Sequence, residues 1–298
     1  MAQDNVVIRF DKVSFEYNEK KVILDDASFT VRKNSIVTII GQNGAGKSTI
    51  FKLLLGKLKP QSGRVILENG ATVGIAEQMI PKEKLDLTVL DYFKTALPDF
   101  QPGMEANIVK ILNTVNLDVQ LDKVVNHLSG GQKARLLLAC ALISDPDVLL
   151  LDEPTNNLDK VGIEHLTNFL INYKKTCIVI SHDAPFLNSF TNGVLNLDVH
   201  TKKVEQFVGN YFDVLEEIAA KLERDRMLNV RLERNIKERF ERVNKLGGKS
   251  NDLSRLARRI REDIEEDKES MVEMRQEDQT IPDFTIPCQE YVGYVIKI

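Results

Sequence analysis

A nine-residue run, GQNGAGKST at residues 41–49, most constrains what this chain can fold into. It lies between an unbroken apolar stretch, SIVTII (35–40), and a helical pattern, STIFKLLLGKL. Such an apolar stretch suits a strand buried on both faces. The loop fits G-x-x-x-x-G-K-[S/T], a spacing that wraps backbone around phosphate. Gly41, Gly44 and Gly46 let N–H groups approach phosphate oxygens where a Cβ would obstruct them. Gln42, Asn43 and Ala45 complete the cradle. The helix that follows adds a partly positive N-terminus. Lys47 is placed as a point charge for the β- and γ-phosphates, Ser48 as a Mg²⁺ ligand, and Thr49 as a further phosphate donor. A glycine-rich turn that merely caps a helix is the competing reading. Strand, loop and helix all in register disfavour it.

Two more buried-strand patterns, DVLLL (147–151) and TCIVI (176–180), are each reached through a helical stretch. VVIRF (6–10) and SFTVR (28–32) read as short strands, and 82–127 reads as mostly helical, for example ANIVKILNTVNL. Alternation of this kind predicts an α/β domain with parallel strands, whose ends bind ligands. Asp152 then stands at the mouth of the sheet, able to hold a Mg²⁺ shell. Glu153 follows, able to orient or deprotonate a water. On their own, the two acids could simply favour a helix started by Pro154. Beside a phosphate loop the chemical reading is stronger. His182, just past the third apolar run in ISHDAPF, is expected at the same edge as a γ-phosphate sensor. Gln78 in VGIAEQ and Tyr17 in VSFEY carry little signal by themselves.

In order along the chain these motifs resemble an ATP-binding-cassette ATPase over residues 6 to about 212: Tyr17, the loop 41–49, Gln78, LSGGQ (128–132), LLLDEP, NNLD (156–159) and His182. The resemblance implies a P-loop cassette with a helical subdomain at about 82–140, and ATP with Mg²⁺ as cofactors. It implies Tyr17 as the adenine-stacking aromatic, Gln78 as a Mg²⁺ and nucleotide contact, and Glu153 as catalytic base. It also implies that Ser129, Gly130, Gly131 and Gln132 serve a nucleotide held by a second cassette. One cassette alone is therefore expected to hydrolyse ATP poorly.

After residue 212 the composition changes, and 213–278 contain no proline. Leu215, Leu222, Ile236 and Val243 recur at multiples of seven, with Ile218, Leu232 and Leu246 offset by three; Asn229, Asp225 and Arg239 interrupt the seam. With LGGKSN (246–251) as a turn, an α-helical coiled-coil hairpin is expected over 212–280. Residues 281–298 end in YVGYVIKI, which resembles the opening of another cassette, so a tandem protein is expected, with a homodimer as the alternative. EPTNNLD, the VGNYFDVLEEIAAKLER passage and a hairpin between cassettes together resemble the ABC-F translation factors. That resemblance implies action on the ribosome. One departure is Ala184, where the family commonly has Arg after SHD.

Charge bears on the same point. The whole chain is only −4, so no global field draws it to nucleic acid. Residues 221–261, however, hold fourteen Lys/Arg against six Asp/Glu, and 262–278 hold nine acids against two bases. A basic hairpin tip suits rRNA or tRNA phosphate; a solvated coil with paired surface charges is the alternative. No apolar run approaches the roughly 20 residues of a membrane span. Three scattered cysteines show no disulfide or metal spacing, and a cytoplasmic protein with no membrane insertion is expected. A transporter motor whose spans lie on another polypeptide remains the competing function. A DNA-repair clamp would need a far longer coil or zinc motifs.

Overall fold

The computed structural model describes residues 5–265 apart from 19–20, 98–100, 102, 247–257, 261 and 263. It divides into two compact units, 1–224 and 225–298.

The first unit is built on a six-stranded sheet ordered β5-β6-β7-β3-β8-β9. Its strands are β3 (Ile36–Gly41), β5 (Val73–Ala76), β6 (Val148–Asp152), β7 (Thr176–Ile180), β8 (Gly193–Leu197) and β9 (Val204–Val208). All pairings are parallel except β8 with β9, which forms an antiparallel edge. Side chains alternate across a strand, so each central strand feeds two cores. On β6, Val148 and Leu150 face one core while Leu149 and Leu151 face the other; on β7, Ile178 and Ile180 oppose Cys177 and Val179. This double burial is why these strands read as continuous apolar runs.

One core lies beneath a three-stranded antiparallel sheet, β2-β1-β4, made of β1 (Val6–Glu16), β2 (Val22–Arg32) and β4 (Ser62–Leu67). Phe10 and Phe29 stack there at 4.3 Å. The other core lies beneath the helices α2 (Val89–Ala96), α3 (Glu105–Thr114), α4 (Gly130–Leu142), α5 (Lys160–Ile171) and α6 (Ala184–Asn188). Strands β1 and β2 are about twice as long as VVIRF and SFTVR suggest. Irregular pairing at Lys12 and Asp26, both at positive φ, carries polar residues through the sheet without ending it. Helix α1 (Lys47–Leu54) is shorter than its apolar pattern, because Gly56 just beyond it adopts φ 67°.

The GNY segment begins the long helix α7 (Tyr211–Leu246). Asn210 caps it by accepting the Asp213 N–H at 2.9 Å. Val214 and Ile218 pack on Val194 of β8, within the first compact unit. In the second unit the less exposed stripe of α7 steps through Asp225, Asn229, Leu232, Ile236, Arg239 and Val243, a heptad spacing. The polar residues that break the apolar pattern therefore lie on the seam itself, and Asn229 is 6% exposed. Of the expected turn at 246–251, residues 247–251 fall outside the described residues, as do the segment 281–298 and most of the stretch expected to form a returning helix. Among the described residues no helix is long and apolar enough to cross a membrane.

Candidate functional site

Parallel pairing puts the C-terminal ends of β5, β6, β7 and β3 on one edge of the sheet, and the loops leaving them enclose a cavity of about 440 Å³. Asn43, Gly44, Gly46, Lys47, Ser48 and Thr49 line it from the β3–α1 loop, with Tyr17 from the end of β1, Gln78 after β5, Asp152 and Glu153 after β6, and His182 after β7. Residues more than 160 positions apart in sequence thus meet in one place.

The loop needs glycine for two separate reasons. Gly46, the N-cap of α1, has φ 104°, and a Cβ there would lie 2.2 Å from Ile23 Cγ2. Gly41 has φ 149°, and a Cβ there would lie 2.7 Å from the Leu197 carbonyl oxygen. Lys47 Nζ donates to the Gly41 carbonyl at 2.7 Å. Burial lowers the Lys47 pKa, and the charges of Glu153 and Asp152 oppose that shift. Gln42 and Ala45 shape the loop without lining the cavity; the Ala45 N–H donates to the Gln42 carbonyl at 3.1 Å.

The two acids differ. Burial raises the Asp152 pKa, while a hydrogen bond from Ser48 and the Lys47 charge pull it down. Burial also raises Glu153, offset by the His182 charge and by the His182 N–H, which donates to its carboxylate. His182 Nε2 lies 3.3 Å from Glu153 Oε1. Glu153 is at φ 52°, uncommon for a residue with a side chain, and its N–H donates to the Ile180 carbonyl at 2.8 Å. Backbone strain of this kind is held only where surrounding contacts enforce it.

The Tyr17 ring packs edge-to-face on Phe15 at 5.1 Å, and its hydroxyl lies 3.3 Å from Thr49 Oγ1. Ser48, Gln78 and Asp152 offer a hydroxyl, an amide carbonyl and a carboxylate. This all-oxygen set fits Mg²⁺, a hard ion that keeps waters and phosphate oxygens for its remaining positions. Among the described residues no group of three or more His, Cys, Asp or Glu could hold a metal on its own. Lys21, Ile23 and Asn156 also line the cavity. Sequence reasoning missed them, because a lysine and an isoleucine beside a polar turn carry no motif. Asn156 sat in view within NNLD without a role.

Ser129 to Gln132 are elsewhere. They begin α4 and do not line this cavity. Ser129 Oγ accepts the Gln132 N–H at 3.2 Å and Gln132 Oε1 accepts the Ser129 N–H at 3.0 Å, a reciprocal cap. Gly130 and Gly131 leave room for Asn157, since a Cβ on either would lie 3.1 Å from it. Their N–H groups lie in the first turn of α4, at the partly positive end of the helix.

Residues 24–156 match the protein-family model described as "ABC transporter". The probable ATP-binding protein YheS of Escherichia coli K12 is 36% identical over 213 residues, covering 70% of this chain and 32% of YheS. The energy-dependent translational throttle protein EttA of Mycobacterium tuberculosis is 31% identical over 255 residues, covering 73% of this chain and 45% of EttA. The chain spans about a third to a half of the length of such curated relatives. A nucleotide-free ATP-binding cassette from an ABC transporter superposes with a TM-score of 0.62 at 21% identity, covering 72% of this chain and 95% of that one, a likeness of fold. The chain belongs to the ATP-binding-cassette ATPases, in the ABC-F branch to which YheS and EttA also belong.

Proposed function

We propose that this chain binds and hydrolyses ATP as one half of a two-cassette clamp, and that the clamp acts on the ribosome. Its cassette is residues 1–211 and its interdomain linker 212–280, with a second cassette supplied in cis or by another copy. The observation that carries the clamp is a division of labour. One cavity gathers Lys47, Ser48, Gln78, Asp152, Glu153 and His182, while Ser129, Gly130 and Gly131 stand outside it.

Loop amides and Lys47 hold the β- and γ-phosphates, and Tyr17 carries the adenine. Ser48, Gln78 and Asp152 would hold Mg²⁺, which would supply charge neutralisation at the phosphates. Glu153 accepts the proton of the attacking water as oxygen bonds to the γ-phosphorus and the β–γ bridging oxygen leaves with ADP. Its raised pKa makes it a better base than an exposed carboxylate. His182 orients Glu153 from one side and reaches toward the γ-phosphate from the other. Closure over a second cassette brings that cassette's serine and glycines onto the phosphate, so turnover and clamp movement are coupled.

The ribosomal reading is supported by the similarity to EttA, named for translational throttling, and by the basic balance of 221–261. ATP-driven closure would position that linker near tRNA or rRNA. A transporter motor is the second reading, favoured by the likeness of fold to a transporter cassette. To test between them, the Glu153→Gln variant of the complete protein is fractionated from cells with ATP present. Sedimentation with ribosomes in ATP but not ADP is expected. Recovery with membranes alone would reject the ribosomal reading in favour of the motor.

A further inference from the structure

Lys21 lines the nucleotide cavity, yet no motif includes it. Its ammonium lies 5.7 Å from the centroid of the Tyr17 ring, within the roughly 6 Å range of cation–π attraction. Two backbone hydrogen bonds fix where it starts. The Tyr17 N–H donates to the Lys21 carbonyl at 3.2 Å and the Lys21 N–H donates to the Asn18 carbonyl at 2.8 Å. The Lys21 backbone is therefore held beside Tyr17, and a lysine's four-carbon stem is flexible.

The cavity has two ends. Lys47, Asp152 and Glu153 mark the end where the terminal phosphate reacts. Tyr17, whose hydroxyl reaches Thr49 at 3.3 Å, marks the base end. Lys21 belongs to the base end. A base stacked on Tyr17 takes over the ring surface that the ammonium now shares, and the nearest anion is then the phosphate that carries the nucleoside.

We propose that Lys21 is a further nucleotide-binding residue, its ammonium exchanging the Tyr17 ring for the α-phosphate when nucleotide enters. The proposal rests on the nucleotide reading above and adds to it. It makes the α-phosphate, common to ATP and ADP, the group recognised, so Lys21 holds product as firmly as substrate.

The test measures MgATP and MgADP binding to the chain by calorimetry, at low and high salt, for the wild type, Lys21→Met and Lys21→Arg. Met keeps the stem and removes the charge; Arg keeps the charge. At low salt Lys21→Met is expected to weaken both nucleotides about fivefold and equally, a contribution in the range of exposed ion pairs. High salt is expected to shrink the difference, and Lys21→Arg to bind close to wild type. Unchanged affinity in Lys21→Met would overturn the proposal, as would a loss confined to MgATP or one indifferent to salt. If the wild-type chain bound neither nucleotide, the nucleotide reading itself would fall along with it.

Discussion

At the residue scale, Glu153 carries two opposed demands. Burial raises its pKa, so the ionised form is disfavoured in the folded state, and the base role proposed for it needs that ionised form. A carboxylate with a raised pKa gives the folded protein extra stability only while protonated; that advantage is lost as pH rises through the folded pKa. At neutral pH the buried charge is therefore a cost. Replacing it by Gln removes the charge and keeps the shape. Glu153→Gln is expected to lower turnover by at least about 100-fold, measured by phosphate release. The same variant is expected to melt up to a few degrees higher than wild type at pH 7, with the gain vanishing in acid. A lower melting temperature at pH 7 would mean that the His182 contacts outweigh the burial cost. The pH–rate profile follows from the same shift. Activity is expected to fall on acidification with a midpoint above the ordinary glutamate value of about 4.3, and an acid limb at or below it would show that Glu153 is not the base.

At the scale of elements, what could be read in advance follows from how each segment is buried. β3, β6 and β7 are covered on both faces, so their sequences are almost wholly apolar runs, and loops that line the cavity follow directly at their ends. β4 is mostly exposed and has no buried apolar run to mark it in the sequence, although it pairs along β1. β8 is wholly buried but carries Asn196, which hides its strand character. The same logic applies to the site. Most residues inside a motif were legible; Lys21 and Ile23 join only because the fold brings distant segments to one cavity. Ser129 shows how one residue can serve an element and a site together. It caps α4, and in the proposed clamp it faces another cassette's phosphate. Ser129→Ala is expected to cost about 1 kcal/mol through the lost cap, seen as a lower melting temperature. Ser129→Asp keeps a capping oxygen and adds a negative charge at the helix start, which favours the fold but repels phosphate. It is therefore expected to melt like wild type while the assembled two-cassette protein loses nearly all turnover. Full activity in Ser129→Asp would remove the signature from the clamp.

At the scale of the whole molecule, charge is partitioned rather than abundant. A net charge of −4 gives little general attraction to RNA, so any binding must come from a local surface. On α7 within the second unit, Arg226, Arg231, Arg234 and Lys237 are all exposed, while Asp225, Asn229 and Arg239 lie along the less exposed seam. Neutralising the exposed set therefore leaves the seam and the cassette untouched, separating RNA attraction from folding. If the linker meets RNA phosphate, each lost contact removes a released counterion, and the plot of log affinity against log salt flattens by about one unit per contact. Arg231→Gln, Arg234→Gln and Lys237→Gln combined are expected to reduce that slope by about two to three units and to weaken ribosome binding most at low salt. Nucleotide binding is read in parallel, since its groups lie in the first unit. A slope identical to wild type, with nucleotide binding intact, would identify the charged face as a solvated coil and leave ribosome contact to other surfaces.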